Sequence, residues 1–317
     1  MSERRRPNVG HWLEFLAARS AIALIEVLPL AWAQKLGEIL GQLVYWPLGI
    51  RREVVVRQLA AAFPELDHRE VVHLARRSYA HFGRVLAESA RIAGRGFAEV
   101  ERLVESESGV DAILSAVAEG RGVVLITGHL GNWELAGAYM ALRGVPIEVI
   151  VRRLNNPLVD RMATKARQRS GMAVVRDAEA VRRVPRAFKE GHAMAFVADQ
   201  GVLGLASTFV PFFGRPAKTP RGPAVFALRF GVPAFFVAMV RKPNGRYHCH
   251  VVPVPYEREA EREAETERFV AAFTGILEEW VRRYPDQYFW QHRRWRRQPE
   301  GTPDHLRDPA AVVGGER

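Results

Sequence analysis

A histidine and a glutamate five residues apart, His129 and Glu134, are the most suggestive pair in the chain. The apolar run at residues 123–126 predicts a buried strand, which leads through a glycine-bracketed turn carrying His129 into a helix carrying Glu134. Ligands of open α/β sheets bind at the carboxyl ends of strands, where His129 should lie. If Glu134 accepts a hydrogen bond from one imidazole nitrogen, the other can take a proton from a substrate hydroxyl. The alternative is that His129 caps the helix and Glu134 complements its dipole.

Five further residues are candidates for substrate binding. Arg152 follows the next predicted strand, and Asp199 and Gln200 end another, so all three are expected at the same sheet edge as His129. Asp199 either orients an arginine or caps a turn, and Arg152 is otherwise a surface arginine. Thr219 and Arg221 lie where a helix is predicted to start, and a helix N-terminus can bind phosphate. The alternative for this pair is an ordinary helix start.

The elements that must position these residues alternate along the chain. Short apolar runs predict strands, and stretches with helical spacing of apolar residues separate most of them. This alternation predicts an α/β fold with a mostly parallel central sheet flanked by helices. Prolines near a further strand, at residues 247–254, suggest that it lies near an edge of the sheet. The predicted strands are 123–126, 147–151, 173–175, 193–198 and 232–240, and the predicted helices are 133–142, 157–169, 178–189, 220–230 and 257–284.

The two ends of the chain differ from this central pattern. Residues 12–50 are rich in apolar side chains, but charged residues, a proline and a glycine interrupt them, so a simple membrane-spanning helix is not expected. We predict helices that lie in a membrane interface; the alternative is a buried helical hairpin. Residues 299–317 are rich in proline, glycine and charge, which predicts a disordered tail. The expected organisation is therefore a membrane-associating region at 1–50, an α/β domain at 51–298 and a tail at 299–317.

The composition narrows the class of protein. The 317 residues are 48% hydrophobic and 26% charged, which excludes a disordered or collagen-like chain, and the single cysteine excludes an internal disulfide. The formal net charge is +11 at pH 7, and only five of the 46 basic residues are lysines. Such an arginine-rich surface favours anionic partners: nucleic acid, anionic lipid, a phosphorylated substrate or an acidic carrier protein.

Motifs that mark several common classes of enzyme are absent from the sequence. The sequence contains no phosphate-binding loop, dinucleotide-binding glycine motif, serine-hydrolase elbow or zinc-protease helix motif. His248 and His250 share one face of a predicted strand, but no third metal ligand lies near them in the sequence. We therefore expect neither a metal nor a cofactor.

Five segments, in order, resemble the bacterial lipid A biosynthesis acyltransferases, the lauroyl and myristoyl transferases within the wider glycerolipid acyltransferase superfamily. The resemblance runs from about residue 10 to residue 298. One departure is Gln58, where the family usually has asparagine. The segments are RQLAAAFPE at 57–65, GHLGNWE at 128–134, VRRLNNPL at 151–158, DQ at 199–200 with FVPFFG at 209–214, and YPDQYFWQHRR at 284–294.

The resemblance implies an O-acyltransferase in which His129 and Glu134 form the catalytic pair and Arg152 contacts the substrate or the oxyanion. It implies a fatty acyl thioester donor, usually acyl-carrier protein, and a phosphorylated glycolipid acceptor such as a lipid A precursor. It also implies contact with lipids at the cytoplasmic face of the bacterial inner membrane, and not with nucleic acid. Two alternatives stay open: a different glycolipid or lysophospholipid acceptor, and a non-catalytic basic protein that binds membranes or nucleic acid.

Overall fold

A seven-stranded sheet in the order β1-β9-β8-β2-β5-β3-β4 forms the centre of the computed structural model, which describes residues 7–201, 206–258 and 260–311. Strands β8, β2, β5, β3 and β4 run parallel, whereas β9 runs antiparallel to β8, and β1 follows the direction of β9. A separate hairpin is formed by β6 and β7. The strands are β1 (Val104–Ser108), β2 (Val123–Thr127), β3 (Ile147–Val151), β4 (Ala173–Arg176), β5 (Ala193–Val197), β6 (Ser207–Phe212), β7 (Arg215–Pro220), β8 (Ala234–Arg241) and β9 (Tyr247–Pro253).

Helices cover the sheet, and two hydrophobic clusters of buried side chains fill the space between the layers. The α/β class and the mostly parallel sheet are thus confirmed. The helices are α1 (Val9–Val27), α2 (Leu30–Tyr45), α3 (Arg52–Ala62), α4 (His68–Arg95), α5 (Phe97–Leu103), α6 (Val110–Ala118), α7 (Trp133–Leu142), α8 (Pro157–Arg169), α9 (Ala180–Lys189), α10 (Gly222–Phe230) and α11 (Arg262–Arg283).

One edge of the sheet is a strand that the sequence pattern did not predict. Strand β9 lies between β1 and β8, one strand in from this edge, so the prediction that it lies near an edge is confirmed; Pro253 is its last residue. The edge is β1, whose sequence, VESES, is too polar to be recognised as a strand from its pattern. Polar alternation of this kind is what an edge strand with one solvated face allows.

The N-terminal helices expose much of their apolar surface. Helix α2 packs against α4, but many large apolar side chains on α1, α2 and the following turn face outwards. None of the helices in the described part of the chain combines the length and hydropathy that a membrane crossing needs. The exposed side chains include Val9, Trp12, Leu13, Leu16, Leu24, Val27, Trp32, Ile39, Leu40, Leu43, Trp46, Leu48 and Ile50.

Glycines let α2 and α4 approach closely. A Cβ on Gly83 would lie 2.0 Å from the carbonyl oxygen of Gly37, which is closer than any real contact. Gly83→Ala should therefore lower the free energy of unfolding by about 1–3 kcal/mol, because the helices must separate. Gly275, on α11, has no neighbour within 4 Å of the position that a Cβ would take. Gly275→Ala should therefore raise the free energy of unfolding by up to about 1 kcal/mol, because alanine favours the helix more than glycine does. Urea unfolding of both variants tests this, and equal stabilities would contradict the close approach.

The aromatic and arginine-rich segment after α11 is largely buried. Trp290 and Trp295 are fully buried, and Arg294 is 3% exposed, so these three do not form a surface patch for membranes or nucleic acid. Gln58, on α3, holds the segment, because its amide donates to the carbonyl oxygen of Trp290 at 2.6 Å and accepts from the backbone N–H of Arg294 at 2.7 Å. Two segments that lie more than two-thirds of the chain apart in sequence thus form one packed unit.

The packed chain continues past residue 298, the predicted end of the α/β domain. Arg293 pairs with Asp308 at 2.6 Å, and the guanidinium of Arg215 donates to the carbonyl oxygens of His305 and Arg307. Residues 300–311 therefore lie against the β6–β7 hairpin and the segment after α11. The remainder of the predicted tail, 312–317, and the first arginines, within residues 1–6, lie outside the described residues.

Candidate functional site

The side chains of His129 and Asp199 meet at the carboxyl edge of the sheet. Strands β2 and β5 are parallel neighbours, and Thr127 lies opposite Val197 in their register. His129 lies two residues after Thr127, and Asp199 lies two residues after Val197. The adjacency of the strands therefore places both side chains at one point above the sheet edge.

Asp199 contacts His129 through both carboxylate oxygens. The imidazole Nδ1 lies 2.7 Å from Oδ1, and the backbone N–H of His129 donates to Oδ2 at 3.0 Å. Burial alone would raise the pKa of Asp199, but the charge and hydrogen bonds of His129 hold that pKa well below its ordinary value. An ionised carboxylate accepts from Nδ1–H, which leaves Nε2 as the unprotonated nitrogen of the neutral ring.

Buried polar groups surround Asp199. Tyr288 is 4% exposed and lies near Asp199, and burial together with the nearby carboxylate raises the pKa of this phenol well above its ordinary value. The guanidinium of Arg294 adds a positive charge near Asp199 and donates to the hydroxyl of Thr219 at 2.7 Å. Thr219 is fully buried in β7, and its hydroxyl also donates to a backbone carbonyl. Thr219 thus anchors an arginine and does not lie at the phosphate-binding helix start that the sequence predicts.

Glu134 has a different partner from the one that the sequence predicts. Its carboxylate receives two hydrogen bonds from Arg167, at 3.0 Å from Nε and 2.5 Å from the terminal nitrogen. Helix α7 begins at Trp133, so Glu134 lies in its first turn and reaches sideways to α8. The expected hydrogen bond between Glu134 and His129 is therefore wrong, and the carboxylate that contacts the ring belongs to Asp199. A catalytic role for Glu134 stays a prediction.

The other predicted binding residues are spread around this edge. The amide nitrogen of Gln200 lies 3.1 Å from Nδ1 of His129, so Gln200 belongs to the site. Arg152 follows β3 at the same edge and is exposed; among the described residues it has no ion pair. Arg221 is the residue before α10 and pairs with Glu263 at 2.5 Å, so that guanidinium already has an acidic partner.

Aromatic rings that the sequence pattern did not single out form one wall of the site. The imidazole of His129 lies 4.8 Å from the ring of Trp133 and 6.0 Å from that of Phe289. Phe82, on α4, packs against both aromatic rings. Trp133 and Phe289 lie within two of the family-like segments, which was the available signal, but Phe82 lies in none of them.

The turn that carries His129 is fixed on several sides. Gly131 has a φ of +60°, and a Cβ there would lie 1.8 Å from the carbonyl oxygen of Met239 on β8. The side chain of Asn132 caps α7 and donates to the buried carboxylate of Glu88. The Nε2 atom of His81 lies 3.2 Å from the carbonyl oxygen of Gly131. This oxygen accepts a hydrogen bond only when Nε2 carries the proton. The catalytic candidate therefore lies on a rigid turn.

The burial of His81 predicts a loss of stability in acid. Burial, helped by the charge of Arg241, lowers the pKa of His81 to about 3. Below pH 6.5 the unfolded chain therefore binds a proton that the folded chain does not. The free energy of unfolding therefore decreases as the pH is lowered, and this residue accounts for a loss of about 2 kcal/mol at pH 5. We expect His81→Gln to lose less stability than the wild type between pH 7 and pH 5, as measured by urea unfolding. Identical pH profiles would show that His81 is accessible to protons in the folded state.

At the opposite edge of the sheet, Glu148, Glu190 and His192 have ligand atoms within 4.8 Å of one another. The guanidinium of Arg183 contacts both carboxylates. Because a cation already bridges the two acids, the group is an ion-pair cluster. Among the described residues, this is the one set of three such groups within reach of a shared ion.

Comparison with known proteins finds relatives that are named as acyltransferases. The chain is 27% identical over 294 residues to the lipid A biosynthesis lauroyltransferase of Escherichia coli K12, covering 92% of this chain and 94% of that protein. It is 30% identical over 255 residues to the lipid A biosynthesis palmitoleoyltransferase of the same strain, covering 79% and 81%. It is 25% identical over 166 residues to the phosphatidylinositol mannoside acyltransferase of Mycolicibacterium smegmatis, covering 51% and 54%.

The family model of the bacterial lipid A biosynthesis acyltransferases matches residues 3–297, nearly the whole chain. The matched region contains the His129 turn, Asp199 and the buried segment after α11. This protein is therefore an acyltransferase that belongs to the bacterial lipid A biosynthesis acyltransferase family.

Proposed function

We propose that this protein transfers a fatty acyl chain from an acyl thioester, carried by acyl-carrier protein, to a hydroxyl of a lipid A precursor. The observation that carries the proposal is the His129–Asp199 pair at the carboxyl edge of the sheet. The relatives named for lipid A biosynthesis span most of this chain and support the choice of acceptor.

The proton route follows from the tautomer of His129. Asp199 accepts from Nδ1–H, so Nε2 takes the proton of the acceptor hydroxyl as its oxygen attacks the thioester carbonyl. The tetrahedral intermediate then expels the thiolate, which receives that proton from the imidazolium. Asp199 stabilises the imidazolium between the two steps, as the acid does in a serine-protease triad. Arg152, exposed at the same edge, remains our candidate for contact with the substrate or the oxyanion.

The aromatic wall suits an acyl substrate. Phe82, Trp133 and Phe289 present ring faces and edges beside the imidazole, and Leu86, one turn along α4 from Phe82, is 56% exposed. Apolar surface next to the base lowers the local dielectric and excludes water that would otherwise hydrolyse the thioester. An acyl chain lying on this wall would bring its carbonyl close to Nε2.

We also propose that the exposed apolar surface of α1 and α2 rests in the interface of the inner membrane, at its cytoplasmic face. Trp12, Trp32 and Trp46 are 49–69% exposed on this surface. Indole rings favour the headgroup level of a bilayer, and interfacial helices bury their apolar side chains in its acyl boundary. The acceptor hydroxyl of a membrane glycolipid would then meet the site without leaving the bilayer.

A reconstituted transfer assay tests the proposed reaction. The purified chain is incubated with radiolabelled acyl-carrier protein thioester or the matching coenzyme A thioester, and with either a lipid A precursor or phosphatidylinositol mannoside. Transfer to the lipid A precursor from the carrier thioester is expected. Faster transfer to the mannoside would favour the second candidate acceptor, which the mycobacterial relative suggests over half of this chain. Transfer to neither acceptor would overturn the proposal.

A further inference from the structure

A cleft of about 740 Å³ lies beside α4. Four parts of the fold line it: α2, α4, the turn between β8 and β9, and the segment after α11. It lies outside the His129 site, because the α4 residues that line it point away from the aromatic wall. Leu74, Arg77, His81 and Arg84 recur at helical spacing on one face of α4, and Phe82 lies about 120° around the helix from that face.

Positive charge dominates the lining. Its cations are Lys35, Arg77, Arg84, Arg241, Lys242 and Arg283, and its carboxylates are Glu38 and Asp286. The partners of Arg241 and Lys242 are Glu88 and Glu105, which lie outside the lining. Even with these two acids included, six cations face four carboxylates, so the cleft holds excess positive charge. A concave surface with several converging cations attracts and holds an anion.

The rim shows where the excess lies. Lys35 and Arg84 share one carboxylate, that of Glu38, at 3.3 and 2.7 Å. Arg283 lies over the ring of Trp280 at 5.2 Å and is exposed; among the described residues it has no carboxylate partner. Guanidinium groups bind phosphate in a two-pronged manner, which a lysine ammonium does not do. The chemistry of the rim therefore suits an oxyanion such as a phosphate group.

An apolar surface adjoins the cleft. Helix α2 contributes Lys35 and Glu38 to the lining, and Trp32 and Ile39, on the neighbouring side of the same helix, are 69% and 43% exposed. A ligand with an anionic head and apolar chains fits both surfaces at once. We propose that this cleft binds the phosphate headgroup of an anionic lipid, with the acyl chains lying along α2. The site is separate from the acyl-transfer site and does not depend on the proposed reaction.

Binding of short-chain lipids below their micellar concentration tests the proposal on the full chain. Isothermal titration with dihexanoyl phosphatidylglycerol should show one saturable site, and the zwitterionic dihexanoyl phosphatidylcholine and inorganic phosphate should each bind at least about tenfold more weakly. Arg77 pairs with Asp286 at 2.6 Å, whereas Arg283 has no carboxylate partner among the described residues. In the Arg77→Gln/Arg283→Gln variant the Kd for the anionic lipid should rise by at least about thirtyfold, since the cleft loses its unpaired cation and the cation that offsets Asp286.

A matched double variant controls for the loss of two charges. Arg121 precedes β2 at the other edge of the sheet and pairs with Glu119 at 2.8 Å, and its exposure of 53% is close to the 58% of Arg77. Arg282 is the neighbour of Arg283 but pairs with Glu278 and lies over the ring of Phe213. Arg121→Gln/Arg282→Gln should raise the Kd less than threefold.

Each other result would overturn part of the proposal. Equal losses in the two double variants would show that the cleft is not the binding site. Equal affinity for the two lipids would show that negative charge is not recognised, and equal affinity for inorganic phosphate would show that the acyl chains contribute nothing. Because Arg77 and Arg283 are exposed, both double variants should keep the thermal midpoint of the wild type; if the cleft variant does not, Arg283→Gln alone carries the test, with an expected rise of about tenfold.

Discussion

His129→Ala is expected to lower kcat for acyl transfer by about 10⁴-fold, because no other group described at this edge can take the hydroxyl proton from the same position. The change removes the imidazole, but the backbone N–H of residue 129 still donates to Asp199. Single-turnover transfer from a radiolabelled acyl thioester measures the effect. The KM for the thioester should change less than threefold if the ring acts in the chemical step and not in binding.

His129→Gln serves as the control for folding. It keeps a polar side chain beside the buried carboxylate and avoids leaving Asp199 without a side-chain partner. We expect the same loss of activity as in His129→Ala, with a free energy of unfolding closer to that of the wild type. Activity within tenfold of the wild type in either variant would show that His129 is not the base.

Asp199→Asn should also lower kcat, by about 10⁴-fold, whereas Glu134→Gln should lower it by no more than about 10²-fold. The amide that replaces the carboxylate would donate to Nδ1, which leaves the proton on Nε2, where the mechanism requires a free acceptor. Glu134→Gln disturbs only the pair with Arg167, which lies beside the site. Steady-state kinetics of the two variants, measured with one donor and one acceptor, compares them directly.

The pH profile tests whether Asp199 stays ionised throughout the working range of the enzyme. Since the pKa of Asp199 is held far below neutrality, this carboxylate stays ionised between pH 5 and pH 9 and contributes no limb to the kcat/KM profile. Asp199→Asn should therefore have a low kcat/KM at every pH, and raising the pH should not restore its activity. If Glu134→Gln proved to be the slower enzyme, the carboxylate of the H-x4-E segment would act on the reaction from a position that the present geometry does not show.

Local pattern was sufficient to predict much of this protein. The run of apolar residues before Gly128 and the helical spacing after it place His129 at the end of a strand, and both signals depend on neighbouring residues alone. The α/β class follows from repeated units of the same kind. The polar strand β1 was missed because a solvated edge strand has no continuous apolar run. Local pattern was also sufficient at the N-terminus, where charged residues interrupt the apolar run and argued against a membrane-spanning helix.

Only the tertiary structure decided which acid faces the histidine. The sequence separates Glu134 from His129 by five residues and Asp199 from it by seventy, so proximity along the chain favoured Glu134. The pairing of β2 with β5 instead brings Asp199 next to His129, because strands adjacent in a sheet need not be adjacent in sequence. Likewise, a segment that mixes aromatic residues with arginines does not by itself reveal its burial, and the contacts of Gln58 and Thr219 show that Trp290, Trp295 and Arg294 lie inside the protein. Hydrophobic periodicity determines each element locally, whereas strand order and burial depend on contacts between distant segments.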